Sequence, residues 1–254
     1  MKAATAAASA NSKSSLTTYV VWGLLVLVVA LIVQAPAGLL KKAIPPGLPV
    51  QLESFGGTIW NGQVDWQQAD DTGQIRWHLR PWRLLTGKLV ADIEADGGLQ
   101  LTGQLKYGLG GWAVDDINGR IPDSMVRHVL PSGWELPGDL EAKSVSVARA
   151  GVAKGAWTQA GGSLHWRGGP MRYNVNGQQQ AATLPALLLN VRLDNDTLVL
   201  GLQSAADSLS LATLRLGPDN MLETQLRQRL LAYTPGYRGS GTPDQVVVTA
   251  KQPL

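Results

Sequence analysis

The chain has 254 residues, with 22 basic and 19 acidic side chains, a formal charge of +3 and no cysteine. The missing cysteines exclude disulfides, thiolate metal sites and a cysteine nucleophile. The basic balance is local: setting aside Lys2, Lys13, Lys41 and Lys42 leaves the part from Ala43 onward with a net charge of −1, which argues against nucleic acid as a partner.

Residues 1–18 are rich in Ala and Ser without periodicity and read as a disordered cytoplasmic tail. From Tyr19 to Val33 every residue is apolar or glycine, and no charge occurs between Leu16 and Leu40. The pattern predicts a transmembrane helix over 19–40, since about 20 apolar residues cross a bilayer core. Ala35-Pro36-Ala37 has the shape of a signal-peptidase site, but the apolar stretch is long for a signal peptide, so an uncleaved anchor is expected. Residues 41–49, with three prolines, read as a stiff linker, and the lysines that flank the helix suit anionic headgroups.

Residues 50–254 are mostly period two, which predicts antiparallel strands with one dry face. Leu89, Ala91, Ile93 and Ala95 alternate with polar residues, and after Asp96-Gly97-Gly98 come Leu99, Leu101, Leu105 and Tyr107: a hairpin. Leu189, Val191 and Leu193, then Asp194-Asn195-Asp196, then Leu198, Leu200 and Leu202, predict another. Two segments fit a helical period instead, Pro122 to Leu130 and Met221 to Tyr233. Both are expected to pack across the sheet, with Arg227 and Arg229 on the solvated side of the second.

Gly62-Gln63-Val64-Asp65-Trp66, Gly73-Gln74-Ile75-Arg76-Trp77 and Gly162-Ser163-Leu164-His165-Trp166 share one template. In a strand its aliphatic and tryptophan share a face, while Asp65, Arg76 and His165 point the other way. Gly57, Gly62 and Gly87 are read as bends or turns, Trp60, Trp66, Trp77 and Trp166 as core, and Pro81 as the end of its strand. The spacing also suggests a weak duplication, with units over 50–150 and 151–254.

No catalytic constellation emerges. His78, His128 and His165 lie on separate elements without a second ligand at metal spacing, and phosphate, dinucleotide and nucleophile-elbow motifs are missing. Asp70-Asp71 and Asp115-Asp116 read as turn residues rather than glycosidase carboxylates or calcium ligands. No cofactor is called for, and the chain is expected not to be an enzyme.

The anchor, Gly57-Thr58-Ile59-Trp60-Asn61-Gly62, and the run from Ile75 through Trp77, Pro81, Leu84 and Leu85 to Gly87 together resemble protein N of the bacterial type II, or general, secretion pathway. Gly162 and Trp166 extend the likeness, which covers most of the chain from about Leu48. Trp82 and Arg83 after the proline depart from it. The resemblance implies a single-pass cell inner membrane protein with a periplasmic β-rich domain: a curled antiparallel sheet with two short helices. It implies a non-catalytic accessory of protein secretion whose partners are other secretion subunits. A distant likeness to AsmA-type proteins implies the alternative, a module that holds lipid or another hydrophobe in a groove. A sheet face closed by helices would suit the first function, and a long open apolar groove the second.

Overall fold

We analysed a computed structural model that describes residues 13–42, 50–68, 71–129, 135–151, 154–175, 178–234 and 237–253. Helix α1 (Lys13–Val33) leads through a 3₁₀ turn (Ala37–Lys42) toward the sheet. Strands β1 (Gln51–Gly57), β2 (Asn61–Gln68) and β3 (Asp71–Leu79) are followed by a second 3₁₀ turn (Pro81–Thr86). Next come β4 (Lys88–Gly97), β5 (Gln100–Gly108), β6 (Gly111–Ile121) and helix α2 (Asp123–Val129). Strands β7 (Leu140–Ala150), β8 (Trp157–Trp166), β9 (Gly169–Val175) and β10 (Gln178–Leu184) continue the chain. It ends with β11 (Leu187–Asp194), β12 (Thr197–Ser204), β13 (Ser210–Leu216), β14 (Met221–Arg227), the single turn α3 (Gln228–Leu231) and β15 (Val246–Pro253).

Thirteen strands form one antiparallel sheet in chain order, except that β9 and β10 are set aside as a separate hairpin and β8 pairs with β11. The strands on either side of residue 150 thus belong to the same sheet.

Ladder partners lie on the same face, and their succession reveals how the sequence divides the sheet. Phe55, Val64, Ile75, Ala95, Leu101, Gly119 and Ala142 stand opposite one another from β1 to β7. The row continues through Leu164, Leu189, Leu202, Ala212, Leu226 and Val248 to β15. Every member is apolar or glycine, so a single apolar face runs across all thirteen strands, exposed in part at Leu105, Tyr107 and Val248. The neighbouring row Gln63, Arg76, Glu94, Thr102, Asn118 faces the other way and carries cross-strand ion pairs such as Arg76 with Asp96 at 2.8 Å. Bulges interrupt the ladders of β1 with β2, β5 with β6 and β6 with β7, bending the strands locally.

Two clusters mark the core. Trp166, Leu184, Leu187 and Leu211 gather under Leu230 and Tyr233, and Trp157, Val191 and Leu198 under Trp112 and Leu216. Both expected hairpins form, with Leu89 opposite Tyr107 in one and Leu189 opposite Leu202 in the other.

Several expectations are corrected. The helix expected from 221 to 233 is strand β14 followed by one turn: Leu222, Thr224 and Leu226 alternate as well as they recur helically, and ladders with β13 and β15 satisfy both sides of the backbone. Arg227 therefore closes strand β14 and donates to Ser210 Oγ, while Arg229 sits in the single turn α3 and pairs with Asp244 at 3.1 Å. Asp115 and Asp116 form no turn but sit inside β6 at a bulge, where Ser146 Oγ accepts from the Asp116 amide and Lys106 pairs with Asp115 at 2.7 Å. Asp71 opens β3, and Asp70 lies outside the described residues.

The transmembrane helix expected over 19–40 is corrected in extent. Helix begins at Lys13, inside the expected tail, and ends at Val33. Its apolar part from Tyr19 rises only about 22 Å, against about 30 Å of hydrocarbon. Among the described residues no helix is long and apolar enough to cross a membrane. Tail residues 1–12, linker residues 43–49, the side chain of His128, and Leu130 lie outside the described residues.

Candidate functional surface

The expected motif residues separate into two groups. Gly57, Thr58, Trp60, Gly62, Trp77, Pro81, Leu85 and Gly87 collect at the end of β1 to β4 against which the end of α1 docks, because Asn61 stands opposite His78 and Lys88 opens β4 there. Gly162 and Trp166 lie apart on β8, the latter in the core at 3% exposure with its Nε1 donating to Pro137 O at 3.0 Å.

Thr58 and Asn61 close the β1 to β2 turn: the Thr58 amide donates to Asn61 O at 2.9 Å, and the Asn61 amide donates back to Thr58 Oγ1 at 3.1 Å. Gly57 has φ 79° beside this turn, which favours glycine. Trp60, expected in the core, instead ties helix to sheet. Its Nε1 donates to Ile32 O at 2.9 Å, a carbonyl in the last turn of α1 that also accepts from the Ala35 amide at 3.3 Å, and its own carbonyl accepts from the Leu79 amide at 2.6 Å. Alongside, the Ile59 amide donates to Ala35 O at 2.9 Å.

Trp66 and Trp77 do lie on the apolar face, and the template's glycines explain how. Trp66 stands opposite Gly73 and Trp77 opposite Gly62 in the β2 to β3 ladder. A Cβ on Gly73 would fall 2.7 Å from Trp66 Cζ2, and one on Gly62 would fall 2.7 Å from Thr58 O and closer still to the Trp77 ring. Each glycine is the seat of the other strand's indole. The third copy lacks this reciprocity: Trp166 stands opposite Leu140 and Leu187, and Gly162, φ 94°, sits at a bulge against β7.

Pro81 ends β3 and opens the 3₁₀ turn, and Gly87 closes it at φ 68° with its amide on Leu84 O. No residue from Pro81 to Leu89 is buried. Trp82 is 80% exposed, Leu85 86%, and Leu109 in the β5 to β6 turn is fully exposed. The segment from Arg80 to Leu89 carries Arg80, Arg83 and Lys88 and no acid. Arg80 grips Asp92 through Nε at 2.8 Å and Nη2 at 3.0 Å, holding that carboxyl below its ordinary range.

Chemistry elsewhere is sparse. Ser163 and His165 approach to 3.1 Å on one face of β8, but Glu141, opposite the histidine, is engaged by Lys143 at 3.3 Å. Among the described residues no three His, Asp or Glu side chains are grouped to hold a metal. The composition gave one residue no role: Arg149, buried in β7, donates to Gly155 O, Pro218 O and Asn220 Oδ1 and lies 4.8 Å from the centroid of Trp157. A lone charge among alanines at a strand position was its available signal.

These features define a class: a long antiparallel meander with one apolar face, joined at one end to an apolar helix by a Gly-Thr-x-Trp turn. Residues 49–235 match the sequence model of type II secretion system (T2SS), protein N, and the chain belongs to that family. The chain is 29% identical to the type II secretion system protein N of Vibrio cholerae serotype O1 over 211 residues, 79% of this chain and 80% of that one. It is 31% identical to the protein of the same name from Aeromonas hydrophila over 165 residues, 61% of each chain. No solved structure matches it.

Proposed function

We propose that this chain is a non-catalytic subunit of the type II secretion system, held at the inner membrane through α1 with its sheet in the periplasm, where it supports export through contacts with other secretion subunits. The family match over residues 49–235 carries the reading, because it spans the sheet rather than one motif. Helix α1 supports the anchoring: its side chains from Tyr19 to Val33 are exposed on every side and apolar, a pattern that water disfavours and lipid accepts.

One observation favours a second reading, a module that holds lipid or another hydrophobe. The apolar row from Phe55 to Val248 crosses all thirteen strands, and of the helix expected to cover it from 221 to 233, residues 221–227 are themselves a strand of the sheet. Deleting the gene and complementing it with the full chain, while scoring export of type II substrates and outer-membrane lipid in the same cells, separates the two. Loss of export with unchanged lipid is the expected result. Intact export with altered lipid would overturn the secretion role in favour of the groove.

A further inference from the structure

We propose that the Pro81–Thr86 turn and the Leu109 turn form a second membrane contact, seating this end of the sheet in the headgroup region of an anionic bilayer beside α1. The proposal rests on the anchoring reading above and adds the surface by which the folded domain meets the lipid.

Three observations carry it. The first is adjacency. Trp60 bonds to Ile32 on one side and to Leu79 on the other, so a single residue separates the last turn of α1 from the strand that enters the Pro81 turn. Lys88 stands opposite Gly108, and Gly87, Lys88, Tyr107 and Leu109 line one open depression of about 370 Å³. Helix end, first turn and second turn therefore share one end of the sheet.

The second is exposure of large apolar groups. Trp82, Leu84, Leu85, Tyr107 and Leu109 are all exposed here, and Leu39 joins them from the turn after α1. A folded protein seldom turns so many apolar side chains outward at one edge without a surface to receive them. Tryptophan and tyrosine among leucines is the composition of the membrane interface. The apolar part of α1 is also several ångströms short of a bilayer core, a deficit that an adjoining apolar edge lowered into the interface makes good.

The third is charge. The segments at this contact carry Lys41, Lys42, Arg83 and Lys88 close to the apolar groups, and no acidic residue occurs from Arg80 to Leu89 or from Leu105 to Ala113; Lys106 is taken up by Asp115 at 2.7 Å. Two turns farther from α1 at the same end have the opposite character: Asp194 and Asp196 flank the β11 to β12 turn, and Asp219 lies between β13 and β14. Anionic headgroups attract the first set and repel the second, so contact is confined to the half of the edge next to α1.

The chain has no cysteine, so single cysteines can be placed at Val26, Leu85, Leu109, Asp196 and Ala206 of the full-length protein and labelled with an environment-sensitive dye. The protein is then reconstituted in vesicles of phosphatidylethanolamine and phosphatidylglycerol with or without nitroxide quenchers, one kind near the headgroups to read positions 85, 109, 196 and 206 and one on the acyl chains to read position 26. Positions 85 and 109 should lose emission as position 26 does, while 196, at the same end, and 206, at the opposite end, keep theirs. Quenching at 26 with positions 85 and 109 as bright as 206 would overturn the proposal and leave the anchor standing. Quenching at 85 and 109 but not at 26 would keep the contact and overturn the anchor. Capture of positions 85 and 109 by a protein crosslink in cells, with no quenching in vesicles, would reassign the patch to a subunit interface. Near-ultraviolet circular dichroism of each labelled variant verifies folding, which these exposed positions should leave unchanged.

Discussion

The indole of Trp77 lies over Gly62, its direct partner in the β2 to β3 ladder, where a side chain on that glycine would overlap it. Gly62→Ala should therefore cost about 1–3 kcal/mol through overpacking. Trp77→Leu, itself destabilising, should recover part of that loss in the double variant, since the two residues share one space. Urea unfolding of the four proteins measures the coupling. Additive costs would mean that the indole does not restrict Gly62.

Trp66, 2% exposed on the same face, separates core from binding. Trp66→Ala should cost about 3–5 kcal/mol and lower cellular abundance together with export. A variant that folds with wild-type stability yet loses export would show the indole to be a contact for a partner.

Trp60→Phe keeps an aromatic ring and removes one donor to Ile32 O. A loss of about 1 kcal/mol is expected, concentrated where helix and sheet join. Hydrogen exchange of the Ile59 amide, which donates to Ala35 O at 2.9 Å, should quicken, and exchange in β12 should not.

Arg149 holds three acceptors from two other loops against the face of Trp157. Arg149→Met should destabilise by about 2–4 kcal/mol, because carbonyls brought together by one guanidinium lose a charged donor at once. Arg149→Lys should recover little, since an ammonium cannot span the same acceptors. Thermal unfolding of both variants measures the difference.

The Asp92 carboxyl is held low chiefly by hydrogen bonding from Arg80, with Gln104 adding a donor at 2.8 Å against the opposing effect of burial. A depressed folded-state pKa contributes stability that is present above the ordinary carboxylate range, about 4, and disappears as pH falls through the folded value. Glu223, lowered by Gln225 and Lys251, acts in the same direction. The urea midpoint should fall on acidification below that range, and more shallowly in Asp92→Asn. Equal acid slopes would show that Arg80 does not favour the charged form.

Period-two alternation made the sheet and both hairpins legible, because a strand with one dry face writes its side-chain directions directly into the sequence. Met221 to Tyr233 was not legible: over a short window a helical stripe and an alternating strand use the same leucines, and only ladder partners on both sides decide between them. The glycine and tryptophan template was visible, but its reciprocity was not, since the pairing of Gly62 with Trp77 depends on the register of two strands. Trp60 misled for a related reason: an indole reads as apolar bulk, and its one N–H found a helix carbonyl. The exposure of Trp82, Leu85 and Leu109 was not legible, because composition alone does not show which apolar residues face outward.

The near-sequential strand order has a kinetic side. From β1 to β8 each strand pairs with the one just made, so contacts close over short lengths of chain and the sheet can grow strand by strand, without waiting for a distant partner. Only the joining of β8 to β11 must wait, since the β9 and β10 hairpin intervenes. At every earlier stage the newest strand offers a bare edge that its successor covers, and the last edge, β15, ends in Lys251 and Pro253, a charge and a residue without an amide donor, both of which discourage a further strand.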